Sequence, residues 1–170
     1  ARRLYPLIPT PRAAKRLTNV YRILKACVPR HELKTFEGSD AIAGDFQLPM
    51  LLLAMIVKAP TECAQVFPVL LRQASAGANA LESLQRLDTL ASEGDADEAQ
   101  LADLAEAIRP IVSDVSFRAA NDDFSRWIPQ VSRYSFEIGG ILREKAKPAA
   151  VPKSQLLPHR KRKRARQSTN

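Results

Sequence analysis

Apolar and polar positions recur with a helical period along most of the chain. From Thr10 to about Val28, at about 100° per residue, Ala13, Ala14, Leu17, Val20, Tyr21 and Leu24 fill one apolar arc. Arg12, Lys15, Arg16, Asn19, Arg22 and Lys25 fill the other, interrupted only by Ile23. Thr10 is suited to cap this helix, Pro11 fits its first position, and Pro29 stops it. A loop is expected from Arg30 to Gly44. Asp45 is then expected to cap a helix over Phe46–Lys58, with Pro49 tolerated in its first turn. The interior of that helix, Met50 to Val57, is apolar on every side and predicts a central, buried element.

The remaining pattern continues in the same way. Pro60 and Thr61 open a helix running to about Gln73, where Pro68 predicts a kink or a restart. Leu81, Leu84, Leu87 and Leu90 form a core stripe ending near Gly94. Asp95 and Asp97 precede Leu101, Leu104 and Ile108, a helix expected to end before Pro110. A short segment from Ile111 to Phe117 and a capped stretch from Asn121 to Trp127 follow. The aromatics Trp127, Tyr134 and Phe136 are expected to seal the core, and Gly139 with Gly140 forms a hinge. Beyond Arg143 the periodicity disappears. No repeat with a period of about 20–50 residues is present.

The chain is therefore expected to be all-α, a multi-helix orthogonal or bundle-like domain with a disordered basic C-terminal tail. Residues 1–10 read as a linker leading in, 11–142 as a lid-like domain and 143–170 as the tail. Composition agrees: 170 residues are the size of one domain, apolar residues make up 45%, and aromatics only 6%. The longest apolar run, Leu48 to Val57, is about half of what a membrane span requires. The chain opens with Ala1 and no signal-peptide core, and it reads as a piece of a longer protein.

Charge changes the picture once it is divided along the chain. Residues 1–34 carry nine Lys/Arg and one acid; residues 35–142 carry seven and sixteen; residues 143–170 carry ten and one. The net +8 thus belongs to the two ends, and the middle is acidic. That distribution argues against nucleic-acid binding by the folded core. The tail residues Arg160, Lys161, Arg162, Lys163, Arg164 and Arg166 have the charge density to hold a polyanion, either nucleic acid or anionic lipid headgroups, by counterion release. No aromatic interleaves them, so base stacking is not expected.

Much chemistry is excluded. No GxxxxGK[ST] or GxGxxG occurs, and the only histidines are His31 and His159. A HExxH metal site, a Ser-His-Asp triad or a Cys-His dyad of ordinary form is not supported. The acids Asp95, Asp97, Glu98, Asp122 and Asp123 read as helix N-terminal residues, not metal ligands. Cys27 and Cys63 lie in no metal or redox spacing, fit a reducing cytoplasm, and are expected to be buried and inert. The chain is not a catalyst by itself.

One segment carries specific content. Thr10-Pro11-Arg12-Ala13-Ala14-Lys15-Arg16-Leu17-Thr18-Asn19 resembles the sequence that follows the nucleotide-binding core in KAP-type P-loop NTPases. It is also similar to the sensor-2 helix of AAA+ relatives. The all-apolar helix beginning near Asp45 and the closing Trp127…Arg133-Tyr134-Ser135-Phe136 extend the resemblance over roughly residues 8–137. The resemblance implies that Arg12, near the helix start, is presented to the phosphates of bound nucleotide, with Arg16 one turn later in support. It further implies a parent ATPase whose core lies upstream in the same chain, holds ATP and Mg, and works in the cytoplasm, with homo-oligomerisation as a further option. A different class of reading is a non-catalytic helical interaction module with a polyanion-binding tail; a third is a plain structural domain. As an ordinary solvated basic face, Arg12 and Arg16 would contribute little.

Overall fold

The computed structural model describes residues 2–39, 44–87, 98–135 and 138. Among these residues a 3-10 helix, Arg2–Leu7, leads into seven α-helices: α1 (Pro11–Ala26), α2 (Leu33–Glu37), α3 (Gln47–Lys58), α4 (Pro60–Ser75), α5 (Ala80–Gln85), α6 (Glu98–Val112) and α7 (Asn121–Ser132). Among the described residues there is no β-strand, so the all-α expectation holds. None of these helices is long and apolar enough to cross a membrane.

The fold is organised around α3. Eight of its twelve residues are buried, as its all-round apolar sequence predicts. It packs against α1, α7, α4 and the 3-10 helix; α4 lies on α7, and α6 packs on α5 and the 3-10 helix. Residues 1–10 were expected to form a linker, but Leu7 is fully buried and the 3-10 helix packs on α3 and α6.

Several boundaries differ from the sequence expectations for physical reasons. The expected loop from Arg30 to Gly44 contains α2, which exists to bury Phe36. Asp45 does not cap α3: Phe46 occupies that position with no side-chain bond, while the Asp45 amide donates to the Thr35 carbonyl at 3.2 Å. Helix α4 runs unbroken through Pro68 to Ser75. Helix α6 passes through Pro110 to Val112, and α7 passes through Pro129 to Ser132. An interior proline costs about 3 kcal/mol, and burying Ile111 and Val112, or Val131, on the same helical face offsets it.

The short helix α5 is capped by Asn79, whose side chain accepts from the Glu82 amide at 3.1 Å. Its first amide, Ala80, donates to Asn121 Oδ1 at 3.1 Å, tying α5 to the start of α7. Leu90, Gly94, Asp95, Asp97, Phe136, Gly139, Gly140 and the tail 143–170 lie outside the described residues.

Candidate functional site

The start of α1 is built by local chemistry. Thr10 is extended, its hydroxyl accepts from the Ala13 amide at 3.1 Å, and Pro11 occupies the first helical position. This fixes the direction of the first turn and of Arg12 within it. Arg12 and Arg16 are both exposed, and neither forms an ion pair among the described residues. Leu17 and Leu24 anchor the opposite face in the core. Residues 10–31 contain no acid at all, so the outward face of α1 is a positive strip.

The strip is held in place from below and from its far end. Tyr21 stacks on Phe36 with ring centroids 6.3 Å apart, and Phe36 meets Trp127 at 5.5 Å. An aromatic ladder thus runs from α1 through α2 to α7, each step contributing about 1 kcal/mol beyond burial. Lys25, on the last turn of α1, bonds Glu37 at 2.6 Å. That bond raises the Lys25 ammonium above its ordinary pKa, while burial raises the Tyr21 phenol. Beyond α1, Glu32 accepts from Arg126, whose guanidinium lies 4.6 Å from the centroid of the Trp127 ring. The indole nitrogen of Trp127 is buried with no hydrogen-bond partner among the described residues.

The expectation that both cysteines are buried requires correction. Cys63 is fully buried on α4, and burial, with a smaller contribution from neighbouring Glu62, pushes its thiol well above the usual range. Cys27 is exposed because α1 ends at Ala26, leaving Cys27 at its C-cap with Val28 turning inward.

The acids of α7 act at its N-terminus. Asp123 accepts from the Ala120 amide at 2.8 Å, the role expected of it. A cleft of about 510 Å³ opens beside this terminus, between Asp45, Gln47, Leu81, Phe117, Arg118 and Asp123; neither Arg12 nor Arg16 lines it. No group of three or more His, Cys, Asp or Glu able to hold a metal occurs among the described residues. The tail residues Arg160, Lys161, Arg162, Lys163, Arg164 and Arg166 lie outside the described residues.

The structure therefore brings Arg12 and Arg16 to one exposed face, and it adds supports that the sequence left unread. The Glu32–Arg126 pair spans 94 positions, and no local pattern signals it. No protein-family model, no curated protein and no solved structure matches the chain.

Proposed function

We propose that this chain is the C-terminal lid-like helical region of a larger P-loop NTPase, sensing bound ATP and coupling nucleotide state to movement. The observation that carries the reading is the position of Arg12: on a capped first turn, exposed, and without a carboxylate partner among the described residues. A permanently charged guanidinium held in that way suits phosphate oxygens, which it can meet with paired donors. Arg16 stands one turn along the same edge and supports the contact.

In this reading ATP and Mg are held by a core upstream in the same chain, which also carries hydrolysis. The helical domain contributes a rigid lever: α1 is bound to α3 by packing and to α2 and α7 through the aromatic ladder. Displacement of Arg12 by arriving or leaving phosphate would move the domain as a body. A cytoplasmic setting accompanies the proposal.

The test compares nucleotide binding and turnover by the parent protein with those of its Arg12→Ala variant, the isolated 170-residue chain serving as control. The expected result is about a tenfold loss of affinity or turnover, the weight of one hydrogen bond to a charged group, with no nucleotide binding by the isolated chain. Unchanged binding and turnover would return Arg12 to a solvated basic face and leave a non-catalytic helical interaction module.

A further inference from the structure

Two faces of this domain carry opposite charge, and no ion pair joins them among the described residues. On α1, Lys15 and Arg22 are exposed and stand two turns apart on one stripe, with Ile23 beside them 54% exposed. On α6, Glu98, Ala102 and Glu106 are exposed and follow one another at four-residue spacing, which places them along one face. The sequence between Leu87 and Ile108 holds seven acids and no Lys or Arg. Asp103 is already held by Lys58 at 2.7 Å, but Glu98 and Glu106 form no ion pair among the described residues, and none joins α1 to α6.

The two faces also match in length. At about 1.5 Å per residue, Lys15 and Arg22 are separated by about 10 Å along α1, and Glu98 and Glu106 by about 12 Å along α6. Ala102, small and exposed between the two glutamates, leaves room for an aliphatic side chain. From these relations we infer that the outward face of α1 docks on the α6 face of a second copy of this chain. Lys15 and Arg22 meet Glu98 and Glu106, and Ile23, next to Arg22 and one step around the helix, borders the contact.

A protein surface fits this face better than a phosphate backbone does. Ile23 has no use against phosphates, whereas an apolar contact bordered by charges is the ordinary anatomy of a protein interface. The net acidic middle of the chain would also repel a nucleic acid. The pairing is met either by a two-fold dimer, in which each copy's α1 face meets the other's α6 face, or by head-to-tail copies that form a ring or an open chain. It does not depend on Arg12 or Arg16, which remain unaltered in every variant below, so it can fail while the nucleotide reading stands, and the reverse.

The test is sedimentation velocity of the 170-residue chain at low and high salt. Association is expected at about 0.05 M salt and its loss at about 0.5 M, where screening shortens the reach of the charges. A Lys15→Glu/Arg22→Glu variant and a Glu98→Lys/Glu106→Lys variant are each expected to weaken association about tenfold or more. An equimolar mixture of the two should associate again, since each reversed face then meets its complement. Ile23→Ser should weaken association without altering its salt dependence, and unchanged thermal melting would show that these surface variants fold.

A wild-type chain that stays monomeric at low salt overturns the inference. So does loss through the α6 reversal alone, which would assign the partner to the basic tail. Failure of the mixture to associate, or an α1 reversal that changes only the binding of an oligonucleotide, overturns it as well.

Discussion

The guanidinium of Arg126 closes on the carboxylate of Glu32, joining α7 to the turn between α1 and α2 across 94 positions of sequence. The same guanidinium covers the Trp127 ring, so one side chain both fastens the corner and roofs the aromatic ladder. Arg126→Ala removes an ion pair and a cation–π contact, each partly exposed and worth up to about 1 kcal/mol. A net loss of about 1 kcal/mol is expected, read as a lower midpoint in urea with an unchanged slope. Glu32→Gln, which leaves the stacking intact, should cost about half as much.

Gly44 is required by a close approach. A Cβ there would lie 2.4 Å from the carbonyl oxygen of Phe36 and 2.5 Å from the carbonyl carbon of Glu37. The Phe46 amide donates to that same Phe36 oxygen at 3.1 Å, which holds the two segments together. Gly44→Ala must push backbone against backbone and should destabilise the domain by about 2 kcal/mol. A variant as stable as wild type in thermal unfolding would show that the 44–46 segment can move away.

Thr10→Ala deletes the side-chain N-cap of α1 and is expected to cost about 1 kcal/mol. Thr10→Ser should recover most of it, because its hydroxyl can accept from the same amide. If Arg12 senses phosphate, Thr10→Ala should also weaken nucleotide binding in the parent protein beyond what the stability change explains.

The two cysteines should separate in a thiol titration. Exposed Cys27 reacts with an aromatic disulfide reagent in the native state, whereas buried Cys63 reacts only on unfolding. One equivalent before denaturant and two after is the expected count. Two equivalents in the native protein would mean that α4 opens readily.

Alkaline pH should destabilise the fold, and the sign follows from four groups. Cys63, Tyr21, Tyr134 and Lys25 all have folded pKa values raised above their ordinary 9.0, 10.0, 10.0 and 10.5. Burial raises the first three, and the Glu37 hydrogen bond raises Lys25. Between its unfolded and folded pKa, each group binds more protons when folded, so stability falls as pH rises. Melting temperature should begin to fall above about pH 8 and drop through about pH 9–11. Cys63→Ala should flatten the earliest part of that drop.

Much of the helix content was legible because its signals are local. The Thr10 cap, Pro11 and the apolar stripe of α1 lie within a few residues of one another, and α3 is apolar on every side. The exposure of Arg12 and Arg16 follows from the same stripe. What surrounds them was not legible. Glu32 resembled any loop acid and Arg126 any helix cation until the fold brought them together. Cys27 illustrates the limit: its neighbours suggested an apolar face, but the helix ends one residue before it.

By itself, then, the sequence determined where most helices begin and which face of α1 turns outward, because capping and amphipathic period act within one or two turns. Only the tertiary structure decided that α6 and α7 continue through Pro110 and Pro129. That outcome depends on whether the residues beyond each proline gain enough burial to offset a broken helix hydrogen bond, and the burial is supplied by distant parts of the chain. The same holds for the Glu32–Arg126 fastening and for the ladder beneath α1: their partners are neighbours in space alone, so their energies exist only after the core around α3 has formed.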